Sequence, residues 1–527
     1  MKRLALYPFY FALFVVLSLY AHNLGEAHLA EVAWAAVFVL LFTLIVFAVF
    51  ALVLRGIDRG ALAAAVFVFC FLTHRFWMAA WWRISPPLNR PQEVFDRRMF
   101  LGVQSLLVIW AAYAALRRIK RLKIWTENLN RVGLALLVCP LALIAIGWID
   151  ARAVSPAAGS ASLISSPVAG VSIADRPDIY FIILDAHGRQ DVLKSLYHYD
   201  DGPFIQHLRD KGFFVADAST SNYCYTQLSI SSTLNLRYLD EFKGTRGDDW
   251  QPLGPLLRHS ALVQTLKQEG YRWVALDTVL PDLRFTLADD YEAPPGQHQI
   301  TPFQELMVDT SALRPLGGND LVARLSGGYL NPYDFQRRMI LFELGRAPEV
   351  ARQPGPKFVF MHILAPHPPF VFKADGSDPG DRGYGTIRDP SLFGSYTAAE
   401  YREWYREQAI YIDGRAADMV DHILANSPRP PVIVLVGDHG PRSGVNWDST
   451  NPADSDLHEC MSNLTAVLLP PGAAGDGLYS NISLVNVFRV VLNSCFGAGL
   501  PMLPDRCYFS APTRYAFIDV TSVVRPK

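Results

Sequence analysis

The chain has 527 residues, 51% of them hydrophobic and 18% charged, with a net charge of −1 at pH 7. That apolar share excludes a disordered or collagen-like chain and exceeds what one soluble core hides, so part of the surface is expected to face lipid. The near-neutral total is a cancellation: residues 1–150 carry 15 Lys+Arg against 7 Asp+Glu, residues 151–527 carry 33 against 42, and neither part has the dense basic stripe of a nucleic-acid binder.

Five apolar runs precede residue 150, at 4–21, 33–54, 61–82, 100–116 and 132–149. Each approaches the ~20 helical residues that cross a ~30 Å hydrocarbon core. The first follows Lys2 and Arg3 like a signal peptide, but Tyr20, His22 and Asn23 replace the small residues of a cleavage site, so it reads as a retained helix. If all five span, Lys2 and Arg3, Arg55 and Arg59, and Arg117, Arg118, Lys120, Arg121 and Lys123 share one side. Positive loops mark the cytoplasm, which places everything after residue 150 outside it. His74 and Arg75 interrupt the third run; they mark either a functional site inside the membrane or an early end to that span. Arg83, Arg90, Arg97 and Arg98, with Trp81 and Trp82, put positive charge in an outward loop. That pattern suits interfacial anchoring or an anionic headgroup.

Residues 151–174 are dominated by Ala, Ser, Gly and Pro and read as a tether. The expected organisation is therefore a transmembrane domain over 1–150, a linker over 151–175 and an outer domain over 176–527. In the outer domain, strands are predicted at 179–184, 213–216, 273–276, 358–363, 432–436 and 465–469. Helices are predicted at 203–211, 261–269, 398–424 and 484–493. The alternation argues for an α/β domain with a largely parallel sheet, and 242–352 is weakly patterned and reads as substrate-specific loops. Six cysteines are too few for a disulfide scaffold. Spacing neither requires nor forbids a Cys495–Cys507 bridge.

In such a sheet, chemistry collects where strands end at their carboxyl edges. One predicted strand runs into Asp185 (IYFIILDAHGR), another carries His362 and then His367 (FVFMHILAPHPPF), and a third runs into Asp438 and His439 (VIVLVGDHGPR). One Asp after a strand is ordinarily a turn former, and one His is ordinarily structural. Histidine at two of three strand ends has no explanation in turn chemistry, whereas carboxylates with imidazoles suit Zn²⁺, Mn²⁺ or Mg²⁺, Ca²⁺ being a poorer fit. Between these strands lies the hydroxyl-rich SNYCYTQLSISS, from Ser221 to Ser232, entering a helix. A threonine at a helix N-terminus sits where an anionic phosphoryl group is favoured, and a cation that lowers its hydroxyl pKa makes it a nucleophile.

LDAHGR, SNYCYTQLS, HILAPHPPF, VGDHG and VNVFRVVLN with LPMLPDRCYF resemble the alkaline phosphatase and sulfatase superfamily, in its membrane-bound branch, over residues 177–509. The plan of five spans, linker and outer domain is similar to phosphoethanolamine transferases and lipoteichoic acid synthases. The resemblance implies an alkaline phosphatase-like α/β/α sandwich. It puts a divalent metal on Asp185, Thr226, Asp438 and His439, with Thr226 as nucleophile. His367 matches the histidine that holds a second metal or the substrate phosphate; His362 is assigned there less directly, and Arg442 is a candidate phosphate clamp. His458 reads as a surface residue rather than a ligand. Cys224-Tyr225-Thr226-Gln227-Leu228 lacks the Pro/Ala and Arg of the formylglycine motif, which argues against sulfate-ester hydrolysis by that route.

The leading expectation is a transferase that moves a phospho-headgroup from a membrane phospholipid, through a phospho-threonine, to an envelope glycan or lipid. The resemblance places it in a bacterial-type inner membrane with its catalytic domain in the periplasm. The alternatives are a phosphodiesterase, phosphatase or sulfatase-like hydrolase on the same fold, and a non-catalytic envelope-assembly module.

Overall fold

The computed structural model describes residues 4–24, 29–78, 93–117, 121–153, 176–245, 250–294, 302–313, 332–380, 397–473 and 477–525. The chain divides into two compact units, Met1–Ala158 with Pro295–Asn331, and Gly159–Pro294 with Pro332–Lys527.

The first unit contains helices Tyr7–His22, Leu29–Val53, Ile57–Leu72, Glu93–Arg117 and Leu122–Ala153, one on each predicted run. Leu29–Val53 and Leu122–Trp148 are long and apolar enough to cross a membrane, and Tyr7–His22 and Leu101–Ala114 are shorter apolar helices. Trp34, Phe38, Ile45 and Leu52 are each exposed by 60% or more. Large apolar side chains turned outward in this number suit a lipid-facing surface. Polar groups set the helix ends. Asn130 Oδ1 accepts from the backbone N–H groups of Leu6 and Tyr7 at 2.9 and 2.8 Å, at the start of the first helix.

The third helix stops at Leu72, ten residues before its apolar run ends, with Thr73 as its C-cap. Beyond it His74 is buried and donates from Nδ1 to Gln104 Oε1 at 2.8 Å, while Arg75 is exposed. The two residues that interrupt the run therefore have opposite fates. Trp81, Trp82, Arg83 and Arg90 lie outside the described residues, as do the side chains of Arg97 and Arg98.

The helix Pro302–Thr310 also belongs to this unit. Phe303 and Met307 are buried among Val15, Val16, Tyr20, Val32 and Leu72, with Phe303 edge-on to Tyr20 at 6.3 Å. The Ala312 N–H donates to the Phe71 carbonyl at 2.8 Å. The sequence reading put this stretch among outer-domain loops, because nine residues inside a weakly patterned region do not reveal that their apolar partners lie between Val15 and Leu72, far earlier in the chain.

The second unit is built on a seven-stranded sheet in the order β2-β7-β6-β1-β5-β3-β4. The strands are β1 Ile179–Leu184, β2 Phe214–Val215, β3 Arg272–Leu276, β4 Asp290–Glu292, β5 Lys357–Ile363, β6 Val432–Val436 and β7 Thr465–Leu468. β1 pairs parallel with β5 and β6, β3 pairs parallel with β4 and β5, and β7 alone runs antiparallel to both its neighbours. Side-chain alternation splits the core in two. Ile179, Phe181 and Ile183 face helices Thr226–Asn235, Ala261–Gln268 and Leu484–Phe496, whereas Tyr180, Ile182 and Leu184 face Gly202–Asp210, Pro332–Ala351 and Ala398–Asn426. The central strands are buried on both faces, which is why they read as continuous apolar runs. β4 was not predicted: its sequence, Asp-Tyr-Glu, has no apolar run because it is a half-buried edge. All six cysteines are free thiols, Cys495 and Cys507 included.

Candidate active site

Three strand ends converge in the second unit. Asp185 follows β1, and its N–H donates to the Ile363 carbonyl of β5 at 3.0 Å. His362 sits in β5 in register with Ile183, and Asp438 and His439 follow β6. Thr226 opens the helix Thr226–Asn235, and one turn on, Ser229 Oγ donates to the Asp438 carbonyl at 2.7 Å. That bond ties the positive end of the helix to the β6 terminus. Asp185, Thr226, Asp438, His439 and His362 are all buried. Asp185, Asp438 and His439 each offer a ligand atom within 4.8 Å of the others.

The hydrogen bonds fix the histidine tautomers. His439 Nδ1 donates to the Gly440 carbonyl at 2.8 Å, which leaves its Nε2 lone pair 3.2 Å from Thr226 Oγ1, 3.5 Å from Asp185 Oδ1 and 3.4 Å from Asp438 Oδ2. His362 Nδ1 meets Thr278 Oγ1 at 3.1 Å, and the Thr278 hydroxyl donates to the His362 carbonyl at 2.8 Å. The His362 Nε2 lone pair therefore also faces Asp185, 3.2 Å from Oδ2. Both Asp185 oxygens, Asp438 Oδ2 and His362 Nε2 are buried without a hydrogen-bond partner. Carboxylates and imine lone pairs gathered this closely in a buried site repel one another unless a cation lies among them. The donor set thus fits a divalent metal ion. Burial, reinforced by Arg442, pushes the His439 imidazolium to lower pKa.

On the opposite flank His367 Nδ1 donates to the Pro368 carbonyl, and His367 Nε2 accepts from Arg442 Nη2 at 2.6 Å. Arg442 Nη1 also donates to the Cys224 carbonyl at 3.2 Å, and its guanidinium lies 5.2 Å from the Trp447 ring centre. The arginine thus joins His367, the segment before the nucleophile and an aromatic face. Arg442→Lys has one ammonium for these three duties. It is expected to lower turnover by about 10- to 100-fold with little change in thermal midpoint, measured side by side on the purified chain. His458, by contrast, is exposed and pairs with Asp191 at 3.1 Å, away from this cluster.

Close backbone packing holds the carboxylates. Ala186 adopts φ 61°, which lets its N–H donate to Asp438 Oδ1 at 3.1 Å. A left-handed alanine costs roughly 1–2 kcal/mol, and Tyr405 helps offset this by donating to the Ala186 carbonyl at 2.9 Å while accepting from the Gly188 N–H at 3.1 Å. Gly440 is required, because a Cβ there would overlap the Glu459 carbonyl oxygen. Glu459 in turn accepts from the Gly444 N–H at 2.7 Å and the Ser443 N–H at 3.1 Å, fixing the loop that carries Arg442.

His187, quoted in LDAHGR but given no role from sequence, is a further support. Its Nδ1 faces the Gly188 carbonyl at 3.0 Å and its Nε2 faces Asp413 Oδ1 at 2.6 Å. Both partners are acceptors, so the ring is an imidazolium; burial opposes the charge, but Asp413 outweighs it and raises the pKa. Tyr199 donates to the other Asp413 oxygen at 2.7 Å. Asp413 lies 226 residues from His187, so no local pattern could have linked them. The neighbouring Asp201 is buried, and burial, with Asp413 adding like charge against the pull of His187, raises its pKa to about 6. A raised folded-state pKa contributes stability that is complete below the unfolded value near 4 and is lost as pH rises through 6. Asp201→Asn should therefore be neutral at pH 4 and raise unfolding free energy by about 2 kcal/mol at pH 8, read by denaturant titration at both pH values.

The chain matches the Sulfatase family model over residues 177–459. Among solved structures it is similar to the C-terminal periplasmic domain of EcEptC from Escherichia coli, at 14% identity and TM-score 0.40, covering 68% of this chain and 97% of that one. It is also similar to the integral membrane protein lipooligosaccharide phosphoethanolamine transferase A from Neisseria meningitidis, at 11% identity and TM-score 0.39, covering 93% and 94%. A third similar structure is BT1596, a 2-O GAG sulfatase, at 12% identity and TM-score 0.36, covering 67% and 75%. No match is found among curated proteins. The family match takes in more than half of the chain and contains β1, β5 and β6, with Asp185 after β1, Asp438 and His439 after β6 and Thr226 at a helix start, so this chain belongs to the sulfatase family, within the alkaline phosphatase and sulfatase superfamily of enzymes acting on ester bonds.

Proposed function

We propose that this protein transfers a phospho-headgroup from a membrane phospholipid to a glycan or lipid acceptor of the cell envelope, with Thr226 as the covalent way-station. The observation that carries this reading is Thr226 Oγ1 at the helix N-terminus, 3.2 Å from His439 Nε2, beside three buried carboxylate oxygens, both of Asp185 and Oδ2 of Asp438, that no hydrogen-bond donor meets. A divalent cation held by Asp185, Asp438, His439 and Thr226 would supply Lewis acidity, lowering the hydroxyl pKa and offsetting phosphoryl charge. Thr226 Oγ forms a bond to phosphorus as the bond from phosphorus to the diacylglycerol oxygen breaks, and the hydroxyl proton ends on diacylglycerol. An acceptor hydroxyl then displaces Thr226, which regains its proton. Arg442, tethered to His367 and Cys224, is placed to bind phosphoryl oxygens, and the dipole of Thr226–Asn235 favours the same charge. His362, held by Thr278, orients Asp185 or joins it in holding a cation.

The helices with exposed apolar faces support a multi-pass inner-membrane protein with its catalytic unit on the periplasmic side, beside a lipid donor. Water in place of the acceptor would make the same site a hydrolase. Product analysis with labelled phospholipid tests the two readings: label on an acceptor supports transfer, and free headgroup in water overturns it in favour of hydrolysis.

A further inference from the structure

Donor chemistry leaves unused a group of rings beside the nucleophile. Tyr225, the residue before Thr226, meets Trp250 edge-on at 5.3 Å between ring centres and Trp447 at 5.2 Å. The Arg514 guanidinium lies 4.4 Å from the Trp250 ring centre, as Arg442 lies over Trp447, and Tyr515 stands behind Trp250 at 6.1 Å. Trp447 is buried and anchors the group, whereas Tyr225, Trp250 and Arg514 are half-buried and reach solvent. Arg442 belongs both to this group and, through His367, to the reacting centre.

We propose that Tyr225, Trp250 and Trp447, with Arg442 and Arg514, form the acceptor subsite, and that it takes a sugar ring bearing an anionic group; this rests on the transferase reading above. Charge and hydration select the occupant. Aromatic faces attract cations, but here guanidinium groups already lie over two indoles, and an ammonium headgroup would be a third positive charge within a few ångströms. An acyl chain would strip water from the half-buried Arg514 without replacing its hydrogen bonds. A sugar ring presents C–H faces to Tyr225 and Trp250, and an anionic substituent meets the arginines, whose planar donors match a phosphate or carboxylate.

The test uses the full chain in detergent, with glucose 6-phosphate, glucose and choline as soluble probes followed by saturation-transfer NMR. Formation of the headgroup adduct from labelled phospholipid is measured separately. Glucose 6-phosphate should bind, glucose more weakly, and choline not at all. Trp250→Leu should weaken glucose 6-phosphate binding by more than about tenfold and Trp250→Phe by about threefold, while Arg514→Gln abolishes the preference for the phosphorylated sugar. The adduct rate should move by less than about twofold in each, because the donor step uses neither Trp250 nor Arg514. Choline binding that depends on Trp250, or sugar binding that survives Trp250→Leu, would overturn the proposal. So would a joint loss of sugar binding and adduct in Trp250→Phe, which would make the rings packing for the Thr226 helix. If the wild-type chain forms no adduct, the transferase reading falls by itself, and sugar binding still decides the subsite.

Discussion

Thr226→Ala is expected to abolish the covalent headgroup adduct and lower turnover by at least about 10³-fold, because the reaction then has no atom on which to divide into two displacements. Mass spectrometry of the chain after incubation with labelled phospholipid reads the adduct directly. Folding should be preserved: the residue opens a helix, where alanine is well tolerated, and the Ser229 bond to Asp438 remains. Thr226→Ser keeps a hydroxyl at the same position and should keep the adduct at a reduced rate. An undiminished adduct in Thr226→Ala would move the nucleophile elsewhere in the hydroxyl-rich segment and end the present assignment.

Metal removal is the second large effect. Chelation should silence the enzyme, and Zn²⁺ or Mn²⁺ should restore it. Asp185→Asn should lower metal affinity by more than about 100-fold, beyond the 10- to 100-fold typical of residues that only orient a ligand. The physical reason is that Asp185 faces two imidazole lone pairs, on His362 and His439, and an amide there would offer no negative charge to balance a cation. The measurement is metal content of the purified chain by elemental analysis, with competitive chelator titration for affinity. Wild-type metal retention in Asp185→Asn would show that the cation sits elsewhere. Stability gives a second readout: losing a carboxylate that is buried without a donor should raise the thermal midpoint of the metal-free chain even as it removes activity.

Most of the second unit was legible because its chemistry is local. β1 and β6 are unbroken apolar runs buried on both faces, and the strand direction delivers Asp185 after β1 and the Asp438-His439 pair after β6 to the same sheet edge. Direction alone brings Asp185, Asp438 and His439 together, whatever the loops do. The helix start at Thr226 was readable from its hydroxyl-rich segment, while the role given to the threonine is what the family resemblance implies. What was not legible depends on partners distant in sequence. Asp413 looks like any acid on a long helix until the fold sets it against His187. Thr278 is one threonine after a short strand until its hydroxyl fixes the His362 tautomer. The role of His367 also sharpened: a position read as a second metal or phosphate ligand is engaged by Arg442, a pairing across 75 residues that no spacing rule anticipates.

The helix Pro302–Thr310 gives the polypeptide an unusual itinerary. The chain passes between its two units three times, near residues 158, 294 and 331, rather than once. Severing the Ala/Ser/Gly/Pro stretch would therefore not release the catalytic unit, since two covalent links would remain. A fragment starting at residue 176 would carry Phe303 and Met307 stripped of the side chains that cover them, leaving a greasy patch in water. Membrane attachment is in this sense woven into the hydrolase-like fold and cannot be trimmed from its end.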